Sequence, residues 1–357
     1  MVSSAKVARP PRPLVTLLAI VILCALPFLA IAAVEIAGRV FIWSRHGVPG
    51  HSYGIYEGHP VLKGILAPRS YNTGGQVINA QRFQRLDDTP DRPPADRLRV
   101  ITYGGSTTFC YNLPTPLCWP SQLEAHAKDK PAKLEVLNAG DVNWSVHHAL
   151  VRSREDLPRF KPDIVILYEG INEETNYELL RQEGVDVDAK VAAGEFGLFT
   201  VSLPQCNPIN RHSILYKLVA QDLVPRIDTM IGRQLPPHQL RGEPIPVIGQ
   251  LFLGDLGNAI GEWQAAGAQV VYMIQANGRL DLVRNRQLVS YSRLGADLAR
   301  RRGAIVVDAQ ALVTRLGGNP ADHFASSGVH WNAAGATALA KYLYDEVEAA
   351  GGWRRRR

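Results

Sequence analysis

A long apolar run near the N-terminus constrains this chain more than any other feature. The run extends from Leu14 to Val34, and only Thr16 and Pro27 among its 21 residues are neither apolar nor small. At about 1.5 Å per residue, a helix of this length matches the roughly 30 Å hydrocarbon core of a bilayer. We expect a membrane-spanning helix rather than a buried core helix, because the run has no polar face.

The charges around this run indicate its orientation. Three basic residues precede it, Lys6, Arg9 and Arg12. The positive-inside rule therefore predicts a single-pass inner (cytoplasmic) membrane protein with a cytoplasmic N-terminus and a periplasmic or extracytoplasmic domain after residue 38. The pattern Ala30-Ile31-Ala32 leaves a cleaved signal peptide as the alternative, although the run is longer than a usual signal core. Both interpretations export the rest of the chain.

The net charge of +6 comes from the two ends of the chain. The three basic residues before the run and the four arginines Arg354 to Arg357 supply seven positive charges, and the rest of the chain carries −1. A basic groove for nucleic acid is therefore not expected. The arginine tail is interpreted as a solvated end, with contact to anionic lipid as an alternative.

An exported chain favours disulfides over metal thiolates. Cys110 and Cys118 bracket a short loop with two prolines, whose turned-back path can bring the sulfurs together, and we predict a bridge between them. Cys206 is then interpreted as a buried thiol. We predict no metal site, because no cysteines have CxxC spacing and no carboxylate or third histidine lies at ligand spacing from the histidines outside the motifs. Those histidines, interpreted as solvent or packing residues, are His126, His147 and His148.

Strand-like runs alternate with helical stretches from residue 98 onward. Strands are predicted at Leu98 to Tyr103, Leu134 to Leu137, Asp163 to Tyr168, Gln269 to Ile274 and Ala304 to Val307. Helices are predicted at Trp119 to Lys128, Ala259 to Ala266, Val289 to Arg301 and Ala336 to Ala349. Because several strands are continuous Val/Ile runs, both faces of the sheet should be covered, which predicts an α/β fold with a parallel sheet between helices.

Two motifs place candidate catalytic residues at the ends of these elements. Ser106 follows the first strand and two glycines, where it would start a helix whose N–H groups point at a developing oxyanion. His330 lies just before the C-terminal helix. Ligands bind at the carboxyl ends of parallel strands, so the two residues can meet there as nucleophile and base. Taken alone, Ser106 is equally well explained as a helix N-cap.

These motifs resemble those of the SGNH hydrolases, or GDSL esterases and lipases, in the branch with a Gly-Gly-Ser-Thr first block. The resemblance covers about residues 98 to 348. Its four blocks are Gly104 to Thr108, Asn138-Ala139-Gly140-Asp141-Val142-Asn143, Gly170-Ile171-Asn172-Glu173 and Ser327-Gly328-Val329-His330. The resemblance implies a flavodoxin-like three-layer α/β/α sandwich. The familiar elbow of the α/β-hydrolases is absent, because Thr108 stands where its second glycine would be.

With that resemblance, the chain is expected to fall into five segments. They are a cytoplasmic basic segment at 1–13, a transmembrane anchor or uncleaved signal at 14–37, a loop-rich lead-in at 38–95, a hydrolase-like domain at 96–350 and a basic tail at 351–357. The irregular stretch at about 176–249 is predicted to be an insertion or a lid of the hydrolase-like domain.

The resemblance also implies a role for individual residues. Ser106 would attack an ester carbonyl and His330 would take its proton. The oxyanion would be held by the N–H groups of Ser106 and Asn143 and by the Asn172 amide, with Gly140 as a further candidate. Asn143 stands where the family has glycine, and asparagine tolerates a left-handed backbone. Asn172 as an amide that only fixes a turn is the alternative.

One departure from the family concerns the residue that orients the histidine. Ser327 stands where the family has an aspartate, three residues before His330. We expect Asp322 to substitute from a longer loop, or a Ser-His dyad in which a backbone carbonyl holds the ring. His323 is a rival base, although its spacing does not match the family block.

Together with the resemblance, these features predict an exported, membrane-anchored serine esterase of SGNH type that uses no metal or organic cofactor. Its substrate would be an acyl or acetyl ester of an envelope glycan, exopolysaccharide or lipid. One alternative is O-acyl transfer from the same acyl-enzyme to a sugar hydroxyl, as in exported relatives of the alginate O-acetyltransferase type. The other is a noncatalytic module of an envelope assembly, which Ser327 and Asn143 motivate.

Overall fold

The computed structural model of the chain describes residues 13–170, 172–182, 184–187, 189, 213–217, 246–281 and 283–355. The chain divides into two compact units. The first comprises Met1–Arg45 and His212–Gln234, and the second comprises His46–Arg211 and Leu235–Arg357. Cys206 and most of the predicted insertion at 176–249 lie outside the described residues.

The first unit is built on helix α1 (Pro13–His46), which is long and apolar enough to cross a membrane. After the apolar run, the helix carries Glu35, whose carboxylate accepts hydrogen bonds from the N–H groups of Ile214 and Leu215, both at 3.0 Å. The Ile214 side chain packs on Gly38, one turn further along α1. The short helix at 214–217 is thus attached to the end of α1 that follows the apolar run.

The second unit contains a sheet of five parallel strands. They are β6 (Leu98–Gly104), β7 (Leu134–Asn138), β8 (Ile164–Tyr168), β9 (Gln269–Ile274) and β10 (Ile305–Asp308). Their order across the sheet is β7-β6-β8-β9-β10. The chain reverses its direction of winding between β6 and β8, and the carboxyl ends of two such strands form the crevice where open α/β sheets bind ligands.

Helices cover both faces of this sheet. The helices after α1 are α2 (Ser106–Phe109), α3 (Trp119–Ala127), α4 (Val146–Phe160), α5 (Asn172–Gln182), α6 (Ile214–Lys217, in the first unit), α7 (Pro246–Ala265), α8 (Val283–Arg301), α9 (Ala309–Leu316) and α10 (Ala333–Ala349). One core joins alternate strand residues to α3, α9 and α10, and the other joins the intervening residues to α4, α7 and α8. This alternation gives the predicted three-layer α/β/α sandwich.

Five short strands form the lead-in before the sheet. They are β1 (Ser52–Tyr53), β2 (Tyr56–His59), β3 (Lys63–Leu66), β4 (Ser70–Tyr71) and β5 (Val77–Ile78). Strands β2 and β3 form an antiparallel hairpin. A small apolar cluster joins this lead-in to Phe109 of α2 and to Val142. The lead-in therefore packs directly on the segments that carry the first and second sequence blocks.

Three helices begin earlier than the sequence predicted, among them α10, which begins at Ala333 rather than Ala336. Helix α7 begins at Pro246 rather than Ala259, and α8 begins at Val283 rather than Val289. The glycines Gly249, Gly254 and Gly257 weaken the helical signal of α7, but its buried face packs on α4 and the sheet. Tertiary burial therefore outweighs the low helix propensity of these glycines.

Candidate active site

Ser106 and His330 meet above the carboxyl end of β6. Ser106 is the first residue of α2, directly after the β6 turn, and His330 lies three residues before α10. The Nε2 atom of His330 lies 2.9 Å from the Oγ atom of Ser106. This is the distance at which an imidazole can accept the proton of an attacking hydroxyl.

The turn that carries Ser106 requires glycine at position 105. A Cβ atom on Gly105 would overlap the Asn172 amide nitrogen and would lie 2.6 Å from the Oε2 atom of Glu169. The absence of a side chain therefore lets the β8 end approach the nucleophile. This close approach places the Asn172 amide beside the backbone of the first block.

Three candidate donors lie on the segments that follow β6, β7 and β8. Asn172 is the first residue of α5, is buried, and donates one amide hydrogen to the Trp144 carbonyl at 2.8 Å. An amide nitrogen carries two hydrogens, so a second one is available. The N–H groups of Ser106 and Asn143 make no hydrogen bond to another residue in the described part of the chain.

Asn143 adopts the left-handed backbone region, with a φ of 60°. Its carbonyl accepts a hydrogen bond from the Asn176 amide at 3.1 Å, which ties this loop to α5. A family glycine would adopt this conformation without strain, and asparagine adopts it at a small cost. The loop is thus held in a conformation in which the N–H of residue 143 is free to donate.

Gly140, expected as a further oxyanion donor, uses its N–H within the second block instead. Its N–H donates to the Asn138 Oδ1 atom at 3.0 Å, and a Cβ atom there would lie 2.8 Å from the Phe109 nitrogen. Gly140 therefore serves the close packing of the second block on α2, and its N–H is already engaged. Asn138 also donates to the Thr108 carbonyl at 2.9 Å and so joins the first two blocks.

Asp322 does not take the place of the family aspartate in this structure. It is exposed at the end of a short 3-10 turn, Pro320–Asp322, and its carbonyl accepts from the Asn332 amide at 3.0 Å. Within the described residues, its carboxylate makes no hydrogen bond or ion pair with His330. The longer loop turns the carboxylate toward solvent. The rival base His323 likewise makes no contact with Ser106 in the described part of the chain.

The His330 loop is instead fixed by its backbone and by aromatic packing. The His330 carbonyl accepts from the Ala325 N–H at 2.8 Å, and Trp331 stacks on Phe324 at 4.1 Å. Ser327 accepts the Val329 N–H at 3.3 Å within the same turn. These contacts hold the histidine in register with Ser106.

Two buried glutamates lie behind the Asn172 amide. Glu169 follows β8 and accepts from the N–H groups of Gly170 at 3.0 Å and Asn172 at 3.4 Å. Glu173 accepts from the Val146 N–H at the start of α4 at 2.7 Å. Burial, and then the charge of Glu169, raises the pKa of Glu173 to about 8. Sequence reasoning missed Glu169, because a single acidic residue after a strand has no distinctive pattern.

A third buried carboxyl supports the second block. Asp141 accepts from the Val142 N–H at 2.7 Å and from the side chain of Tyr56 in the lead-in. Burial raises the pKa of Asp141 to about 8. The lead-in thus reaches the loop of Asn143 through a polar contact as well as through the apolar cluster.

The disulfide between Cys110 and Cys118 closes the loop after α2, with its Cα atoms 5.5 Å apart. Cys110 has a left-handed backbone, with a φ of 53°, and ends α2. Cys24 of α1 is free and exposed. The bridge fixes the segment that follows the nucleophile.

Comparison with known proteins identifies the family. A model of the GDSL-like lipase/acylhydrolase family matches residues 101–338. Solved structures similar to this chain include an acetylxylan esterase, Axe2, from Geobacillus stearothermophilus, at 18% identity and a TM-score of 0.44 over 73% of this chain and 97% of that one. The metagenomic α/β hydrolase LAE5 from Lake Arreo has 17% identity and a TM-score of 0.44 over 72% and 96% of the chains.

The esterase EstA from Pseudoalteromonas sp. has 12% identity and a TM-score of 0.41 over 71% of this chain and 97% of that one. A search of the curated proteins found no match. The family model spans well over half of the chain and includes all four sequence blocks. The chain therefore belongs to the GDSL-like lipase/acylhydrolase family, whose members are carboxylic ester hydrolases.

Proposed function

We propose that this protein is an exported, membrane-anchored serine esterase that cleaves an acyl or acetyl ester through an acyl-Ser106 intermediate. The observation that carries this proposal is the 2.9 Å contact between Ser106 Oγ and His330 Nε2, beside the Asn172 amide. A nucleophile, a base and several donors within one crevice are the requirements of acyl transfer.

In the first half of the reaction, Ser106 Oγ attacks the carbonyl carbon of the ester while His330 Nε2 takes the hydroxyl proton. The electron pair of the carbonyl π bond moves to oxygen, and the N–H groups of Ser106 and Asn143 and the Asn172 amide stabilise that oxyanion. The oxyanion then collapses and the ester C–O bond breaks. The leaving alcohol takes the proton from His330, and the acyl group stays on Ser106.

In the second half, water takes the place of the alcohol. His330 removes a proton from the water as it attacks the acyl carbon, and the same donors hold the second oxyanion. The bond from the carbon to Ser106 Oγ breaks and His330 returns the proton to Ser106. The products of this half are the free acid and the regenerated enzyme, and no step requires a reactant other than the ester and water.

Helix α1 supports the location in this proposal. It is long and apolar enough to span a bilayer, and three basic residues precede the apolar run. By the positive-inside rule, the second unit then lies outside the cytoplasm, where esters of envelope glycans, exopolysaccharides and lipids are within reach.

The direct test is labelling of the full chain in detergent with a fluorophosphonate, which reacts with activated serines, together with p-nitrophenyl acetate hydrolysis. We expect labelling and hydrolysis that are lost in Ser106→Ala and reduced by at least about a thousandfold in His330→Ala. Ser326→Ala, an exposed serine in the turn before His330, is the matched control and should keep both. A folded wild-type protein that is not labelled would contradict the proposal and favour a noncatalytic envelope module.

The same preparation separates hydrolysis from transfer. With an activated acetyl donor and excess sugar, an esterase releases free acetate, whereas an acyltransferase forms a sugar ester. Quantifying both products by mass spectrometry decides between them. Predominant sugar ester would replace hydrolysis with transfer in this proposal.

A further inference from the structure

An exposed aromatic ring lies beside the catalytic pair. Tyr111 is 59% exposed, and the centroid of its ring lies 6.3 Å from that of His330, with the two planes tilted by 45°. By contrast, Phe109, two residues earlier, is buried in the cluster under the lead-in. The exposed ring of Tyr111 therefore adds little to the folding energy and flanks the place where the ester would bind.

The backbone of Tyr111 is held from four sides. The Cys110–Cys118 disulfide closes its loop, and the Tyr111 N–H donates to the Ser106 carbonyl at 3.1 Å. The Gln76 amide of the lead-in donates to the Tyr111 carbonyl at 3.0 Å. Asn112 donates to the carbonyl of Trp331, the residue after His330, at 3.2 Å. A large, rigid side chain on a fixed backbone loses little entropy when it binds a ligand.

The surroundings of this ring are polar. Asn112, the residue after Tyr111, and Ser327, on the loop of His330, are exposed. Large apolar side chains that are at least 40% exposed are few in the described part of the second unit: Val61, Leu86, Tyr111, Leu117 and Leu280. Of this set, Tyr111 is the one with a ring contact to His330. One aromatic face with a polar rim suits a ligand that is itself apolar on one face and hydroxylated at its edge.

We infer that Tyr111 is a stacking surface for a sugar ring in the alcohol part of the substrate, an inference that rests on the proposed esterase function. A pyranose presents axial C–H groups to an aromatic face and hydroxyls to the polar residues around it. A long acyl or lipid chain requires continuous apolar walls, whereas Tyr111 is a single exposed ring. Among the envelope esters, the geometry therefore selects O-acylated glycans over lipids.

The test compares two acetate esters that differ in their alcohol, an O-acetylated methyl xyloside and ethyl acetate, with acetate release as the readout for the full chain in detergent. Tyr111→Ala should lower the ratio of kcat/KM for the sugar ester to that for ethyl acetate by about tenfold, mostly through KM. Tyr111→Phe, which keeps the ring, should restore most of this ratio. Leu117→Ala, an exposed apolar residue of the same disulfide loop, is the matched control and should not change the ratio.

Two results would overturn the stacking role and leave the esterase intact. An equal loss on both esters in Tyr111→Ala would show that Tyr111 acts on His330 rather than on the sugar. A wild-type preference for a monoacylglycerol of long chain over the sugar ester, lost in the same variant, would assign the ring to a lipid.

A binding measurement keeps the inference testable if no ester is turned over. Saturation-transfer NMR of the methyl xyloside with Ser106→Ala should show binding that Ser106→Ala/Tyr111→Ala lacks. Sugar binding of this kind without turnover would retain the stacking surface and reject the esterase. No sugar binding at millimolar concentration would reject the stacking surface.

Discussion

His330 Nε2 lies 2.9 Å from Ser106 Oγ, although 224 positions separate the two residues along the chain. The sheet brings them together, because Ser106 follows β6 and the His330 loop precedes the helix that packs on that sheet. The pair is thus a product of the whole second unit rather than of a local motif.

Replacement of the buried amide beside Ser106 should impair the chemical step. We expect Asn172→Ala to lower kcat by about a hundredfold to a thousandfold, the usual effect of losing one oxyanion donor. KM for a small ester should change little, because the donor acts on the transition state. Steady-state kinetics and a thermal melt check this, and a kcat within threefold of wild type would remove Asn172 from the oxyanion hole.

Loss of the exposed carboxylate at position 322 should have little effect. Asp322→Asn keeps the backbone carbonyl that accepts from Asn332 and removes only a charge that does not contact His330. We expect kcat within about twofold of wild type. Removal of a carboxylate that orients the histidine would instead lower kcat by about four orders of magnitude. A fall of a hundredfold or more would show that Asp322 reaches His330 during turnover.

The raised pKa of Glu173 gives stability a defined dependence on pH. Between about pH 4.5 and pH 8, the unfolded chain releases this proton while the folded chain keeps it. The free energy of unfolding should therefore fall as pH rises through this window, by up to about 1.4 kcal/mol per pH unit for this group. Denaturant melts at several pH values should show that Glu173→Gln has a shallower slope than wild type.

The same ionisation should limit catalysis at alkaline pH. Above about pH 8 a second charge would form beside Glu169, behind the Asn172 amide, and near Asp255 of α7, which pairs with His147 of α4. We expect kcat to fall there in wild type and to stay level to higher pH in Glu173→Gln. Identical alkaline limbs in the two pH profiles would show that ionisation of Glu173 beside Glu169 does not limit kcat.

The disulfide after α2 should stabilise the fold and hold the backbone that carries the exposed ring of Tyr111. Its two cysteines are 8 positions apart, and closing so short a loop contributes about 2 to 3 kcal/mol. Cys110→Ser/Cys118→Ser should lower Tm and reduce kcat/KM for the sugar ester more than for ethyl acetate. Cys24→Ser, a free exposed thiol in α1, is the control and should change neither quantity. An unchanged Tm in the double variant would contradict this stabilising role.

The sequence was most informative where local pattern and chemistry coincide. The predicted fold class and family are confirmed, and the five predicted strands lie within one residue of the observed ones. Ser106, Asn172 and His330 could be proposed as site residues because each stands at a strand end or before a helix within a recognisable block. The glycine-rich start of α7 was missed, because only its packing against α4 makes it helical.

Other parts of the site could not be predicted because they depend on contacts between distant segments. The direction of the Asp322 carboxylate follows from how its loop packs, which spacing alone does not determine. Tyr111 became notable only because its side chain is exposed next to His330. The role of Tyr56 also depends on tertiary structure, since its hydroxyl meets Asp141 across 85 positions of the sequence.

Because the lead-in packs on Phe109 and Val142, truncation of this enzyme to the hydrolase domain alone would remove contacts that the domain uses. The region matched by the family model begins at residue 101, but a protein started there would lose the β2–β3 hairpin and the Tyr56 hydroxyl that support the Asn143 loop. The lead-in is therefore part of the folded second unit rather than a passive spacer. A shortened hydrolase, or one transplanted onto another anchor, must keep the lead-in. A change in the length of the lead-in would also change the support of the Asn143 loop and with it turnover.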